Sequence, residues 1–106
     1  MIEKMTDCSA GMTGLTVSGT VLSHDVNEAM RMFAPTDRLL VQVAPRFDGY
    51  MAELVGGMHR ACREGQAKRC ALVVPEDMAD EATMQGEGPE FRVFTTRPDA
   101  ESWLSA

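Results

Sequence analysis

Two short, almost wholly apolar runs constrain this chain more than anything else in it: Leu39-Leu40-Val41-Gln42-Val43-Ala44 and Cys70-Ala71-Leu72-Val73-Val74. Each is bounded by Pro or Gly, too short for a buried helix and rich in β-branched residues. Such runs read as strands covered on both faces. Parallel pairing of two such strands requires a crossover between them. The intervening residues provide one. From Tyr50 to Glu64, Met51, Leu54, Val55, Met58 and Cys62 recur at helical spacing, while Glu53, Arg60, Arg63 and Glu64 take the polar side. Gly65 then stands in the usual helix-ending position. Gly56-Gly57 falls inside the helix, where each Gly costs about 1 kcal/mol relative to Ala. The pair predicts a kink or a close helix contact.

The same alternation extends both ways. Ile2 to Asp7 can form a short strand, Ser9 to Gly14 is turn-rich, and Leu15 to Val21 alternates apolar and polar residues. A short Gly-containing connection between these strands predicts an opening hairpin. Ser23 is an expected N-cap, and Val26, Ala29, Met30 and Phe33 share one helical face. Pro35 is expected to stop that helix. After Pro75, Glu76 to Gln85 reads as a short acidic helix, and Gly86-Glu87-Gly88-Pro89 breaks it. Phe91 to Thr95 alternates as a strand. Thr96-Arg97-Pro98-Asp99 opens a last helix, buried through Ala100, Trp103 and Leu104. The order is ββαβαβαβα. It implies one α/β domain over residues 1–106: a single mixed sheet, with a leading antiparallel hairpin and then parallel strands, covered by about four helices.

Charge and cysteine usage exclude several classes. The net charge is -6, which opposes the phosphate neutralisation that nucleic-acid binding requires. It also limits membrane contact to a peripheral role. The start of the chain lacks the apolar stretch of a signal peptide, and no long apolar run is present. The expected compartment is the cytoplasm. Three cysteines without paired spacing suggest reduced, buried thiols rather than a disulfide framework. Nine methionines fall mostly on the periodic apolar faces, as core residues do.

Several strings in this order resemble the SpoIIAA-like family, within the anti-sigma-factor-antagonist (STAS-like) fold. They are Gly14-Leu15-Thr16-Val17-Ser18-Gly19-Thr20-Val21, Asp48-Gly49, Lys68-Arg69-Cys70-Ala71-Leu72-Val73-Val74 and Phe91-Arg92-Val93-Phe94 followed by Ala100-Glu101-Ser102-Trp103-Leu104. The resemblance covers most of the chain after Gly14 and implies neither enzyme activity nor a cofactor. Antagonists of this fold carry a phosphorylatable Ser or Thr where the loop after the third strand meets the next helix. Here that loop is Arg46-Phe47-Asp48-Gly49-Tyr50, without either residue. The resemblance therefore does not extend to a phosphorylation switch or a sigma-factor role. The SpoIIAA-like branch implies instead mobile helices over hydrophobic ligands or membranes.

Motifs for chemistry are sparse. His24, Asp25 and Glu28 occupy a helix start, where acidic residues simply suit the dipole. His59, Cys62 and Cys70 fall short of the ligand count and spacing of a zinc site. Neither cysteine has a partner evident in sequence that would make it a nucleophile. No Walker loop, dinucleotide fingerprint or nucleophile elbow occurs. The expectation is a non-catalytic binding or regulatory protein without metal or cofactor. Ligands of open α/β sheets settle beyond the carboxyl ends of parallel strands. That places a hydrophobic small molecule or lipid near Phe47, Tyr50, Met51, Leu54 and Met58, where Gly56-Gly57 would let the helix shift. An ordinary amphipathic helix packed on a sheet is by itself enough to explain the same stripe. The alternative is a protein-interaction module, possible as a homodimer, using Arg60 and Arg63 of the basic His59–Arg69 segment against an acidic surface such as Glu76–Glu90.

Overall fold

The computed structural model describes residues 1–33 and 36–106. Five strands form one sheet in the order β1-β2-β3-β4-β5, so each strand neighbours the next in sequence. They are β1 (Ile2–Lys4), β2 (Met12–Val17), β3 (Thr36–Val43), β4 (Ala67–Val73) and β5 (Phe91–Phe94). β1 runs antiparallel to β2, with Ile2 opposite Val17. The other pairs are parallel: Leu15 opposes Val41, Val41 opposes Leu72, and Leu72 opposes Val93. The expected mixed sheet with its leading hairpin is present. The hairpin connection lies earlier than expected, at residues 5–11 rather than Ser9–Gly14, because β1 ends at Lys4 and β2 begins at Met12.

The described residues also form four helices: α1 (Ser23–Phe33), α2 (Met51–Arg63), α3 (Glu76–Met84) and α4 (Arg97–Ser105). The expected N-cap shifts by one residue. The Leu22 carbonyl accepts the first helical bond, from Asp25 N–H at 3.0 Å. The Asp25 carboxylate accepts in return from Leu22 N–H at 2.9 Å, the reciprocal half of a capping box. Pro35, the expected stop of this helix, lies outside the described residues. α2 ends in a Schellman motif. Gly65 N–H donates to Cys62 O at 3.2 Å and Gln66 N–H to Ala61 O at 2.8 Å, with Gly65 at φ 73°.

Alternation along the strands divides the core. On one face Leu15, Val41, Leu72 and Phe91 pack beneath the stripes of α1, α2 and α3. On the other, Met12, Leu40, Ala71 and Val73 meet Ala100 and Leu104 of α4. This second face explains the tail of the chain. Arg69 on β4 lies 5.1 Å from the centre of the Trp103 ring and donates to the carbonyls of Trp103 and Ala106 at 2.8 and 3.1 Å. One guanidinium thus satisfies the free carbonyl end of α4 and stacks on its aromatic residue. Residues 5–11 cover the rest, placing Met5 and Cys8 directly over Gly14. Arg97 fastens that segment to α4 by contacting Asp7 at 3.0 Å and Glu101 at 2.6 Å.

The glycine pair in α2 produces a contact rather than a kink. The helix is continuous from Met51 to Arg63. Gly57 faces α1 so closely that a β-carbon there would stand 2.5 Å from Val26 Cγ1, whereas one on Gly56 would meet open space. Gly57 sets the approach of α1 to α2.

Candidate binding edge at the carboxyl ends of the parallel strands

Two loops leave the carboxyl ends of β2 and β3 and run side by side. Asp48 N–H donates to Gly19 O at 2.8 Å, and Val21 N–H donates to Asp48 O at 3.1 Å. These bonds continue the parallel pairing past the strand ends, with a bridge between Thr20 and Asp48. Gly49 makes the approach possible. A β-carbon there would stand 2.7 Å from the Val21 carbonyl oxygen and 2.9 Å from the Phe47 ring. Gly19 adopts φ 65°, a left-handed conformation that disfavours other residues.

This zipped edge carries exposed apolar side chains. Tyr50 is 74% exposed and Leu22 52%. They flank a depression of about 230 Å³ that also touches Thr20, Asp48 and Gly49. A second depression of about 320 Å³ reaches the same Thr20 and runs along α1 against β1, past Ala29, Met32 and Phe33. Met32 is 68% exposed. Asp25 and Glu28 line the second depression and Asp48 the first, so the rim is acidic.

The residues expected to form a ligand site separate into two groups. Tyr50 lies at the edge, with Phe47 half-buried behind it. Met51, Leu54 and Met58 are buried beneath α2 and packed into the core with Leu15, Val41 and Leu72. None of these three lines either edge depression. Sequence reasoning missed Leu22 and Met32. The available signal was their position outside the Val26, Ala29, Met30 and Phe33 stripe, which leaves them facing water.

The polar candidates do not assemble into a catalytic arrangement. His59 contacts the Gly86 carbonyl at 3.0 Å through Nε2 and stacks on Phe91 at 4.6 Å between ring centres. It ties α2 to the loop before β5. His24 and Asp25 form an exposed pair at 3.2 Å. Arg60 and Arg63 are exposed on the last turn of α2, with Arg60 reaching Asn27 of α1 at 3.4 Å. Among the described residues, no group of three or more His, Cys, Asp or Glu side chains converges as a metal site would require. No helix among them is long and apolar enough to cross a membrane.

No known family's sequence profile matches the chain, and no curated protein matches it. A solved structure does: an uncharacterised protein of the DUF3478 family with a SpoIIAA-like fold, from Shewanella loihica PV-4. The two superpose with a TM-score of 0.58 at 18% identity, over 97% of this chain and 93% of that one. The fold of this protein is SpoIIAA-like, as the strings in its sequence imply.

Proposed function

We propose that the protein is a non-catalytic binding module that holds an apolar ligand along the edge between β1, α1 and the Phe47–Tyr50 loop. One observation carries this reading. Leu22, Met32 and Tyr50 are large, apolar and exposed; Leu22 and Tyr50 line one depression and Met32 the other, and Thr20 lines both. Exposed apolar side chains are ordinary when scattered but informative when they share one surface. The location also agrees with the general placement of ligands in open α/β sheets. α1 is 11 residues long, about 16 Å, which suits an extended alkyl chain lying beside it. The acidic rim of Asp25, Glu28 and Asp48 disfavours an anionic headgroup and favours a neutral or cationic one. Met51, Leu54 and Met58 would join such a site only if α2 moved away from the sheet.

Native mass spectrometry with decanol, decyltrimethylammonium and decanoate tests the proposal. The expected result is retention of the first two, weak retention of decanoate, and loss of binding in Leu22→Glu and Tyr50→Ala. Equal retention by wild type and both variants would remove the edge from consideration.

A protein-interaction surface is the second reading, favoured by the exposure of Arg60 and Arg63 together with exposed Asp77, Asp80 and Glu81 on α3. It predicts salt-sensitive self-association or partner binding that Arg60→Glu and Arg63→Glu weaken. A strictly monomeric particle in sedimentation, unchanged by either substitution, counts against the homodimer.

A further inference from the structure

The last turn of α2 and the centre of β4 bring two thiols together. Cys62 Sγ and Cys70 Sγ stand 3.1 Å apart. Cys62 is half-buried and reachable from solvent, whereas Cys70 is fully buried in the core. The third thiol, Cys8, packs over Gly14 with the α4 face of the sheet, so it has no access to this pair. We propose that Cys62 and Cys70 form a redox-reactive dithiol, a modification site at which a hydroperoxide produces an intramolecular disulfide.

The geometry assigns the two roles. Thiolates, not thiols, attack peroxides. Hydrogen bonding between the two sulfurs holds the Cys62 thiol below its ordinary pKa. Cys70 is pushed the other way by that hydrogen bond and by burial. The accessible sulfur is therefore the better nucleophile, and the buried one is placed to resolve the product. In the first step the Cys62 thiolate attacks one peroxide oxygen. The O–O bond breaks, leaving Cys62 as a sulfenic acid, and the departing oxygen takes up a proton to become water from hydrogen peroxide or an alcohol from an organic hydroperoxide. In the second step Cys70 sulfur attacks the Cys62 sulfur. The S–O bond breaks, and the hydroxide leaves as water with the Cys70 proton. Two thiols lose two electrons and the peroxide gains them. Closing the contact to a covalent bond requires about 1 Å of approach.

The full chain, reduced and then exposed to hydrogen peroxide, tests this. The expected product is a monomer lighter by two hydrogen atoms, in which peptide mapping links Cys62 to Cys70 and Cys8 still accepts iodoacetamide. Dithiothreitol restores the starting mass. Cys62→Ser is expected to slow thiol loss by about tenfold, since burial raises the pKa of both remaining thiols, Cys8 and Cys70, and keeps them protonated. Cys70→Ala keeps the buried site filled and is expected to stop at a Cys62 sulfenic acid that dimedone traps. Wild-type Cys62 accumulating as sulfinic acid with Cys70 still reduced would overturn the proposal. So would an intermolecular disulfide through Cys8, or oxidation of Cys62 no faster than that of a short unstructured cysteine peptide.

Discussion

The contact between Gly57 and Val26 gives the most quantitative test of the packing. Replacing Gly57 with Ala places a methyl group 2.5 Å from Val26 Cγ1, where ordinary contact begins near 3.4 Å. Either α1 and α2 separate by about 1 Å or Val26 leaves its rotamer. Neither is easy, because a β-branched residue in a helix has one strongly preferred rotamer and Val26 is 2% exposed. Overpacking of this kind costs about 1–3 kcal/mol. The same substitution gains about 1 kcal/mol of helix propensity. Gly56→Ala supplies the control, because it has the same propensity gain and no heavy atom within 4 Å of its new methyl group. The propensity effect cancels in the comparison, so Gly57→Ala should be about 1–3 kcal/mol less stable than Gly56→Ala. Urea unfolding followed by circular dichroism measures both. Adding Val26→Ala to Gly57→Ala removes the opposing methyl, and a double-mutant cycle should then report favourable coupling between the two changes. Equal stability of the two alanine variants would refute a close helix contact at Gly57.

Three further outcomes follow from the other face of the sheet. Arg69→Ala should lower stability by about 1–2 kcal/mol through loss of the carbonyl contacts and the stacking, and should red-shift the emission of Trp103, the single tryptophan. Gly14→Ala places a methyl 2.5 Å from Cys8 Sγ and 2.7 Å from Met5 Sδ, so residues 5–11 should lift and Cys8 should alkylate faster. The Arg97 guanidinium beside Asp7 holds that carboxyl below its ordinary 3.8. A depressed carboxyl stabilises the fold above its unfolded value and loses that contribution as pH falls through the folded one. Asp7→Asn should therefore make stability fall less steeply below about pH 4 than in the wild type, in thermal melts across the acid range.

Much of the architecture was legible because its signals are local. The apolar runs at Leu39 and Cys70 are short and bounded, and the Met51–Cys62 stripe between them has a single period. Gly65 marks a helix end by a conformation that few other residues adopt. The shifts are equally physical. β2 begins at Met12 rather than Leu15 because parallel pairing with Arg38–Val43 extends it, which a strand's own alternation does not reveal. The N-cap moved from Ser23 to Leu22 because the carboxylate of Asp25 reaches back to the Leu22 N–H. The candidate edge was only half visible. Tyr50 could be placed by the rule for open sheets, but Met51, Leu54 and Met58 share its neighbourhood in sequence and not its exposure. Periodicity identifies a buried face without saying whether space remains beneath it. The Cys62–Cys70 contact depends on the register of α2 over β4, which no local pattern encodes.

The most direct test of the binding proposal uses Tyr50, the single tyrosine of the chain. Incorporation of 3-fluorotyrosine gives one fluorine resonance from the edge. Titration with decyltrimethylammonium below its micellar range should shift that resonance saturably, and Leu22→Glu should abolish the shift while leaving the fold intact by circular dichroism. A resonance that stays in place while ligand binds elsewhere would contradict an apolar site at this edge.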